Sequence, residues 1–410
     1  MAQRMDTFEE KMDELLMLLR SSQSPPSAPV DDVLLSPCST ITELQEFDRS
    51  LGQQERRKKM PRDVQNSNYY NPSLPACCGF IGLLLQELSL WESQSDMKSN
   101  NSLNPLYFQF TLFADFGPLR YLFFSLCLLF YMTVVSANIV IILTVCLEKS
   151  LHQPMYIFIC CLSVNSLYGS AGFFPRFLMD ILSDTHLISR PLCFIQMYVI
   201  YTYASCELTI LSIMAYDRFV AICQPLHYHS KMTFKMVTHL VIFAVLYPAF
   251  AMGFMLYLTV RLPLCGNKLH RLFCSNWPVV LLSCVDTNLN NIAGRLFTIT
   301  TIFIPRFFVL YTYLRILLVC RRSSSEFRGK ALQTCLPHIV TFMTYSFSVF
   351  CELLLTRFEA DKINPIITVV LSLEYLMIPP INNPLVYGLS LPQIKGVIFR
   401  LLKKIPAPKM

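Results

Sequence analysis

Charged residues are scarce in this sequence. Asp, Glu, Lys and Arg make up 15% of the 410 residues, while hydrophobic residues reach 53%; ordinary soluble domains are about 25% charged. This balance suits a lipid environment better than water. Glycine is also scarce, at 12 residues, which excludes a collagen-like repeat. The modest formal net charge of +7 does not indicate a nucleic-acid-binding stripe.

The sequence also lacks the arrangements typical of enzymes and metal sites. It contains no glycine-rich phosphate loop and no Cys or Cys/His set at zinc spacing. His227 and His229 lie close together in PLHYHSK, but no third ligand or paired carboxylate is nearby, so we interpret them as exposed loop histidines. We therefore predict that the protein is not an enzyme and binds no catalytic metal.

Long apolar runs dominate the chain after residue 118. A membrane-spanning helix needs about 20 apolar residues. Seven runs are long enough, which predicts an all-α membrane protein with a seven-transmembrane helix bundle. We place the spans at roughly Leu119–Val145, Met155–Ile181, Cys193–Ile222, Val237–Val260, Asn291–Val319, Gln333–Thr356 and Ile363–Tyr387.

Basic residues set the expected orientation. The segments SKMTFK and RRSSSEFRGK and the C-terminal tail fall on one side of a seven-span chain, and the positive-inside rule makes that side cytoplasmic. Arg261, Lys268 and Arg271 lie on the opposite side and weaken the bias. We expect a multi-pass plasma-membrane protein with an extracellular N-terminus and a cytoplasmic C-terminus.

Composition divides the chain into three parts. Residues 1–99 mix charged and Pro/Ser-rich stretches and predict a mostly disordered or helical leader; MDTFEEKMDELLMLLRSS fits either a short coiled-coil seam or a generic amphipathic helix. Residues 100–392 hold the seven spans. In residues 393–410, apolar residues at helical spacing alternate with Lys and Arg, which predicts a short cytoplasmic tail with an amphipathic helix at the lipid surface.

The leader raises a question of topology. It begins with neither a basic segment nor a cleavable apolar core, although an extracellular N-terminus requires its export. Either the first span acts as a signal anchor for a long extracellular domain, or the leader is a foreign segment joined to a chain that naturally starts near Met97. The sequon that begins at Asn100, just outside the first span, predicts glycosylation and favours the second alternative.

The stretch MAYDRFVAIC ends the third span with an acid and a base, Asp217 and Arg218. Headgroups and loop water lower the cost of charge at this depth. The pair is either a plain interfacial ion pair or a two-state element, in which the arginine is held in one helix packing and freed for a cytoplasmic partner in another. Spacing alone favours the plain ion pair.

The same stretch closely resembles the MAYDRYVAIC signature of olfactory receptors, a branch of the rhodopsin-like G-protein-coupled receptors. LHQPMY, KALQTCLPH and PPINNPLVYG resemble, in chain order, the family's first intracellular loop, the start of its sixth helix and its seventh helix. The resemblance runs from about residue 100 to residue 404 and is greatest to the fish-type members. It implies an odorant receptor in which a small ligand shifts the bundle and activates a heterotrimeric G protein of the stimulatory type.

The resemblance also implies roles for particular residues. It implies a G-protein switch at Asp217, Arg218, Tyr313, Asn383, Pro384, Tyr387 and Asn138. Four cysteines lie on the predicted outer face, and the sequence alone allows three pairings among them. The resemblance selects Cys193 with Cys274 and Cys265 with Cys284.

The family layout places a ligand in the outer half of the bundle. It implies a pocket lined by Tyr201, Ala204, Ser205, Phe297, Thr300, Thr301, Tyr345, Val349 and Leu353. Because these walls carry few hydroxyl groups and we expect no buried cation there, the predicted ligand is a small, weakly polar odorant held by one or two hydrogen bonds.

One departure from the family concerns the second span. Ser166 stands where the family usually carries an aspartate, while Glu207 remains in the third span. An acid inside a membrane is a functional-site hypothesis by default. Either Glu207 is protonated, or it meets a sodium ion together with Ser166 and Asn138; we expect no other cofactor. Glu374 is the one other acid that we place in mid-span. So few intramembrane charges, and the lack of a repeat between the two halves of the chain, disfavour a channel or transporter.

A second function hypothesis comes from a different class. The leader helices would mediate oligomerisation or tethering, and the bundle would have lost signalling. Ser166 and Ser390, which depart from the family pattern, keep this alternative open.

Overall fold

The computed structural model describes residues 105–113, 117–357 and 364–404. Within them, seven long helices form a bundle and an eighth follows it. The predictions for the leader and for glycosylation at Asn100 lie outside the described residues. The helices are α1 Leu119–Leu147, α2 Pro154–Leu182, α3 Arg190–Cys223, α4 Phe234–Val260, α5 Asn288–Arg321, α6 Ser325–Arg357, α7 Pro365–Ser390 and α8 Pro392–Lys404.

The predicted seven-helix architecture is confirmed. Six of the seven long helices are also apolar enough to cross a membrane by composition, and α3 is the one that falls short. Helix α3 packs against α2, α4, α5 and α6, so protein rather than lipid surrounds much of its surface. This central position explains why α3 tolerates Glu207 and Asp217, both fully buried.

Some helices extend past the ends of the predicted spans, because polar residues continue the helix beyond the bilayer. Helix α6 begins at Ser325, ahead of the predicted Gln333, and takes in the charged segment SEFRGK. A search for apolar length stops at the lipid boundary, whereas the helix continues for as long as its backbone hydrogen bonds are favourable. The apolar criterion therefore marks the membrane, not the end of the helix.

A small sheet caps the end of the bundle that carries the start of α3. Strand β1, Tyr107–Phe110, pairs antiparallel with β2, Leu187–Ser189, and parallel with β3, Lys268–Leu269. Phe108 and Phe110 point into the core beneath it. This sheet was not predicted from the sequence, because strands of two to four residues are too short for a period-two pattern.

Helix α8 leaves α7 after Leu391 and packs against α1 and α7. Ile394 and Val397 are buried, and the Tyr156 hydroxyl on α2 donates a hydrogen bond to Gln393. The apolar face of the tail helix is therefore covered in part by the bundle itself, and the remainder is left for lipid.

Helices α2 and α3 approach each other closely at two glycines. A Cβ atom on Gly172 would lie 2.3 Å from Cγ1 of Val199, and one on Gly169 would lie 2.4 Å from the ring of Tyr203. Small residues at a membrane-helix interface permit such close packing.

We predict that Gly172→Ala lowers the stability of the receptor by about 1–3 kcal/mol, because the added methyl group forces α2 and α3 apart. The measurement is the thermal unfolding of the purified protein in detergent. Gly329→Ala is the matched control, since a Cβ there meets nothing within 4 Å. Equal melting temperatures for the two variants would contradict the prediction.

Candidate functional site

At one end of the bundle, Asp217 holds Arg218. The Arg218 Nε donates to Oδ2 of Asp217 at 2.9 Å, and the Arg218 Nη2 donates to the same oxygen. The other carboxylate oxygen accepts a hydrogen bond from the hydroxyl of Tyr228 at 2.8 Å. Tyr228 begins a one-turn helix, Tyr228–Lys231, after α3. Sequence reasoning missed this tyrosine, because its partner lies eleven residues away across a turn.

The next polar contact along α3 joins α5 and α6 to it. His338 on α6 is fully buried, and its Nε2 lies 2.9 Å from the carbonyl oxygen of Leu211 on α3. A carbonyl only accepts, so Nε2 carries the proton, and in a neutral ring Nδ1 accepts from the Tyr313 hydroxyl. Tyr313 was predicted as a switch residue, whereas His338 was noted only within a motif.

Further along α3, Glu207 joins three helices. Its Oε2 accepts from Nδ2 of Asn165 on α2 at 2.7 Å, and its Oε1 accepts from Nδ2 of Asn383 on α7 at 2.6 Å. The Asn383 amide also lies 3.3 Å from the Ser166 hydroxyl oxygen. The structure therefore brings Glu207, Ser166 and Asn383 together, and it adds Asn165, which was not singled out from the sequence.

Asn138 joins α1 to α7. Its Nδ2 donates to the carbonyl oxygen of Pro380 on α7 at 2.9 Å and to Val134 in its own helix. Pro384 has no N–H and therefore leaves the carbonyl four residues earlier, that of Pro380, without its helical donor. Asn138 supplies that donor. Tyr387, close by on α7, is fully buried.

At the opposite end, two disulfides hold the loop between α4 and α5. Cys193 at the start of α3 is bonded to Cys274, and Cys265 is bonded to Cys284; each pair has Cα atoms 5.4 Å apart. These are the two pairs that the family resemblance selected. The first bond ties the loop to α3, and the second closes the loop on itself.

A cavity of about 60 Å³ lies beneath this loop. Three of the nine predicted pocket residues line it, namely Tyr201, Phe297 and Leu353. The remaining wall is contributed by α4, the loop, α5 and α6: Met252, Met255, Asn276, Trp277, Asn290, Gly294, Thr298 and Thr356.

The other six predicted pocket residues do not line this cavity. The Tyr345 hydroxyl donates to the Ala204 carbonyl at 2.8 Å, which closes α6 onto α3 there. Buried in the bundle are Ser205, Thr301 and Val349. Thr300 is exposed on the surface of α5, so its assignment to the pocket was wrong. Thr300 lies in the π-helical turn Ile299–Phe303, which has more residues per turn than an α-helix and therefore turns neighbouring side chains toward other faces of α5.

A buried cation that sequence reasoning did not anticipate lies in the outer bundle, although it is not among the residues that line the cavity. Arg271, from the disulfide-bonded loop, is 1% exposed, and its Nη2 lies 2.6 Å from Oε1 of Glu352 on α6. From the sequence, Arg271 counted as an extracellular base and Glu352 was overlooked. An acid within the apolar run of α6 was the available signal, because such a group needs a partner.

The described part of the chain contains no group of three His, Cys, Asp or Glu side chains placed to hold a metal ion. The polar groups instead form ion pairs and hydrogen bonds between helices.

Comparison with known proteins agrees with this geometry. A family profile described as olfactory receptor matches residues 126–404. The chain is 32% identical to human olfactory receptor 51L1 over 316 residues, which cover 75% of this chain and 98% of that receptor. It is 33% identical to human olfactory receptor 56A4 over 311 residues, which cover 75% of this chain and 99% of that receptor. The crystal structure of squid rhodopsin has a similar fold, with a TM-score of 0.58 and 15% sequence identity. The match covers 76% of this chain and 92% of the rhodopsin chain.

We predict that Asn138→Ala destabilises the protein by about 1–3 kcal/mol, because the buried Pro380 carbonyl loses its side-chain donor. Thermal unfolding in detergent measures the change. Ser136→Ala is the control on the same helix: Ser136 is exposed, and its hydroxyl donates only to the Met132 carbonyl one turn back. An Asn138→Ala protein that unfolds at the temperature of the control would refute the role of Asn138.

Proposed function

We propose a signalling role for each end of this chain, which belongs to the olfactory receptor family. Members of that family are G-protein-coupled receptors and not enzymes. A small ligand binds in the cavity beneath the α4–α5 loop. The helices then shift, Asp217 releases Arg218, and a stimulatory heterotrimeric G protein binds at that end of the bundle. The non-signalling alternative depends on the leader, which lies outside the described residues.

The position of α3 is the observation that carries this proposal. Tyr201 on α3 lines the cavity, Glu207 bonds to α2 and α7, the Leu211 carbonyl bonds to α6, and Arg218 ends the series. A small rotation of α3 changes every one of these contacts. Packed helices have discrete arrangements, so a ligand that binds one arrangement more tightly shifts the population toward it.

The Asp217–Arg218 contact supplies the resting state. Asp217 is fully buried, and both of its oxygens accept hydrogen bonds, from Arg218 and from Tyr228. Releasing the arginine breaks charge-assisted bonds, and new contacts with a G protein offset that cost. The stimulatory type of G protein comes from the family resemblance.

The disulfides support the proposed orientation in the plasma membrane. Disulfides form and persist in oxidising compartments, which supports an extracellular location for the end that carries Cys193–Cys274 and Cys265–Cys284. The Arg218 end and α8, with Arg400 near Glu148, are then cytoplasmic. We therefore propose an extracellular N-terminus and a cytoplasmic C-terminus.

Sodium remains a proposal for the middle of the bundle. Sodium prefers oxygen ligands, as other hard cations do. The Glu207 carboxylate and the Ser166 hydroxyl supply oxygens there, and the amide oxygens of Asn383 and Asn138 have no hydrogen-bond partner in the described residues. These residues would hold the ion, and it would supply positive charge beside the acid.

We predict that 150 mM sodium chloride raises the melting temperature of the purified receptor relative to the same concentration of choline chloride, a shift that Glu207→Gln abolishes. A stabilising ion makes the melting temperature depend on its concentration, and the neutral amide removes its only charged ligand. A sodium shift of the same size in Glu207→Gln would refute the proposed site. Potassium chloride separates the ion from general salt effects.

We predict that Tyr228→Phe raises ligand-independent cyclic AMP in cells, because Asp217 loses one hydrogen bond and the resting contact weakens. Hydrogen bonds to charged groups are worth about 1.5–3 kcal/mol, which shifts the equilibrium toward the released state by about ten-fold or more, so a clear rise in basal cyclic AMP is expected. Arg218→Ala abolishes signalling in the same assay. Tyr311→Phe is the control, because Tyr311 is exposed on α5. Basal cyclic AMP equal to that of the control, at matched surface expression, would contradict the prediction.

A further inference from the structure

A buried ion pair lies in the outer part of the bundle. Arg271 comes from the loop that Cys265–Cys284 closes, and Glu352 comes from α6. Their side chains are 1% and 8% exposed, and the Arg271 Nη2 lies 2.6 Å from the Glu352 Oε1. The guanidinium also lies over the ring of Phe273, 5.9 Å from its centroid. The pair therefore joins the loop to α6 away from solvent.

This pair leaves hydrogen-bonding capacity unused. The Nε and Nη1 atoms of Arg271 have no hydrogen-bond partner in the described residues, and neither has Oε2 of Glu352. A buried charged group that lacks partners carries a desolvation cost, and buried polar groups in proteins are nearly always satisfied. The site thus offers free donors on a cation and a free acceptor on an anion, close together.

The pair adjoins the ligand cavity. Leu353 follows Glu352 in the chain and lines the cavity. Thr356 also lines it, and its hydroxyl donates to the Glu352 carbonyl. Tyr201, a third wall residue, lies within electrostatic range of both charges. A ligand seated against these residues can reach the pair with its polar end.

We propose that the ligand of this receptor is a small zwitterion with an apolar side chain, of the amino-acid class. Its carboxylate accepts from a guanidinium N–H of Arg271 that Glu352 leaves unused, and its ammonium donates to Oε2 of Glu352. Its side chain packs against Met252, Met255 and Phe297 of the cavity. The proposal rests on the proposed function of the cavity as the ligand site, and it replaces the weakly polar odorant expected from the sequence.

Charge balance selects the zwitterion over simpler ligands. The ion pair is neutral as a unit, and a zwitterion keeps it neutral. A carboxylic acid alone adds a second negative charge beside Glu352, and an amine alone adds a second positive charge beside Arg271. Like charges at this distance repel strongly in a site from which water is excluded.

The test is direct binding to the purified full-length receptor in lipid nanodiscs. Tritiated L-leucine, L-alanine and L-phenylalanine are the probes. The competitors are 3-methylbutylamine, which is leucine without its carboxylate, 4-methylpentanoic acid, which is leucine without its ammonium, and 3-methylbutan-1-ol. We expect each competitor to bind about 10- to 100-fold more weakly than leucine, because each loses at least one charged hydrogen bond. No binding of any of the three amino acids, or equal binding of the amine or the acid, overturns the proposal.

Two variants assign each charge to its residue. In Arg271→Gln, leucine loses its advantage over 3-methylbutylamine, and in Glu352→Gln it loses its advantage over 4-methylpentanoic acid. Arg261→Gln, which changes an exposed base at the end of α4, leaves both advantages intact. Unchanged discrimination in the first two variants overturns the proposal. If a variant does not fold, the comparison of leucine with the three competitors on the unmodified receptor still tests the proposal.

Nucleotide exchange on a purified stimulatory G protein separates this inference from the proposed function. Leucine binding without exchange leaves the zwitterion site standing and refutes the signalling proposal. Exchange driven by 3-methylbutan-1-ol, without binding of any amino acid, supports signalling and refutes the zwitterion site.

Discussion

The carboxylate of Glu207 is the contact on which the rest of the bundle depends. It accepts amide hydrogen bonds from Asn165 and Asn383 and so joins α2, α3 and α7 at one point. Lipid offers no competing hydrogen bonds, so polar side chains between membrane helices pair with each other. The same restriction applies to Asn138, which satisfies the carbonyl that Pro384 leaves free. Helices that would otherwise slide along apolar surfaces acquire a fixed register from these few bonds.

Function requires that this register have an alternative. Near the middle of α3 the contacts are fully buried, whereas Arg218 at its end remains 17% exposed. The interior therefore resists change while the end of the helix stays within reach of a partner. A receptor built in this way transmits a displacement along a rigid helix to the end where a partner can reach Arg218.

Much of this arrangement could be predicted from the sequence, because the lipid imposes a length and polarity rule on each helix. The rule found all seven helices, including α3, whose composition alone is marginal, and the short motifs identified the family. Contacts between distant residues were harder to predict. Arg271 and Glu352 stand 81 residues apart, and nothing local distinguishes a buried arginine in a loop from an exposed one. Thr300 failed for a different reason, since it was assigned from the family layout, whereas in this chain it lies on the exposed side of the π-helical turn Ile299–Phe303.

The sheet in front of α1 has a mechanical consequence. Backbone hydrogen bonds join Gln109 to Asn267 and Thr111 to Leu269, so β1 is attached to the same loop that carries Arg271. Tension applied to the chain ahead of Tyr107 loads these bonds side by side, in shear, and reaches the loop before it reaches α1. Any body joined to the front of this receptor, whether a fused domain or a surface tether, therefore pulls on the roof of the cavity and not only on the membrane anchor.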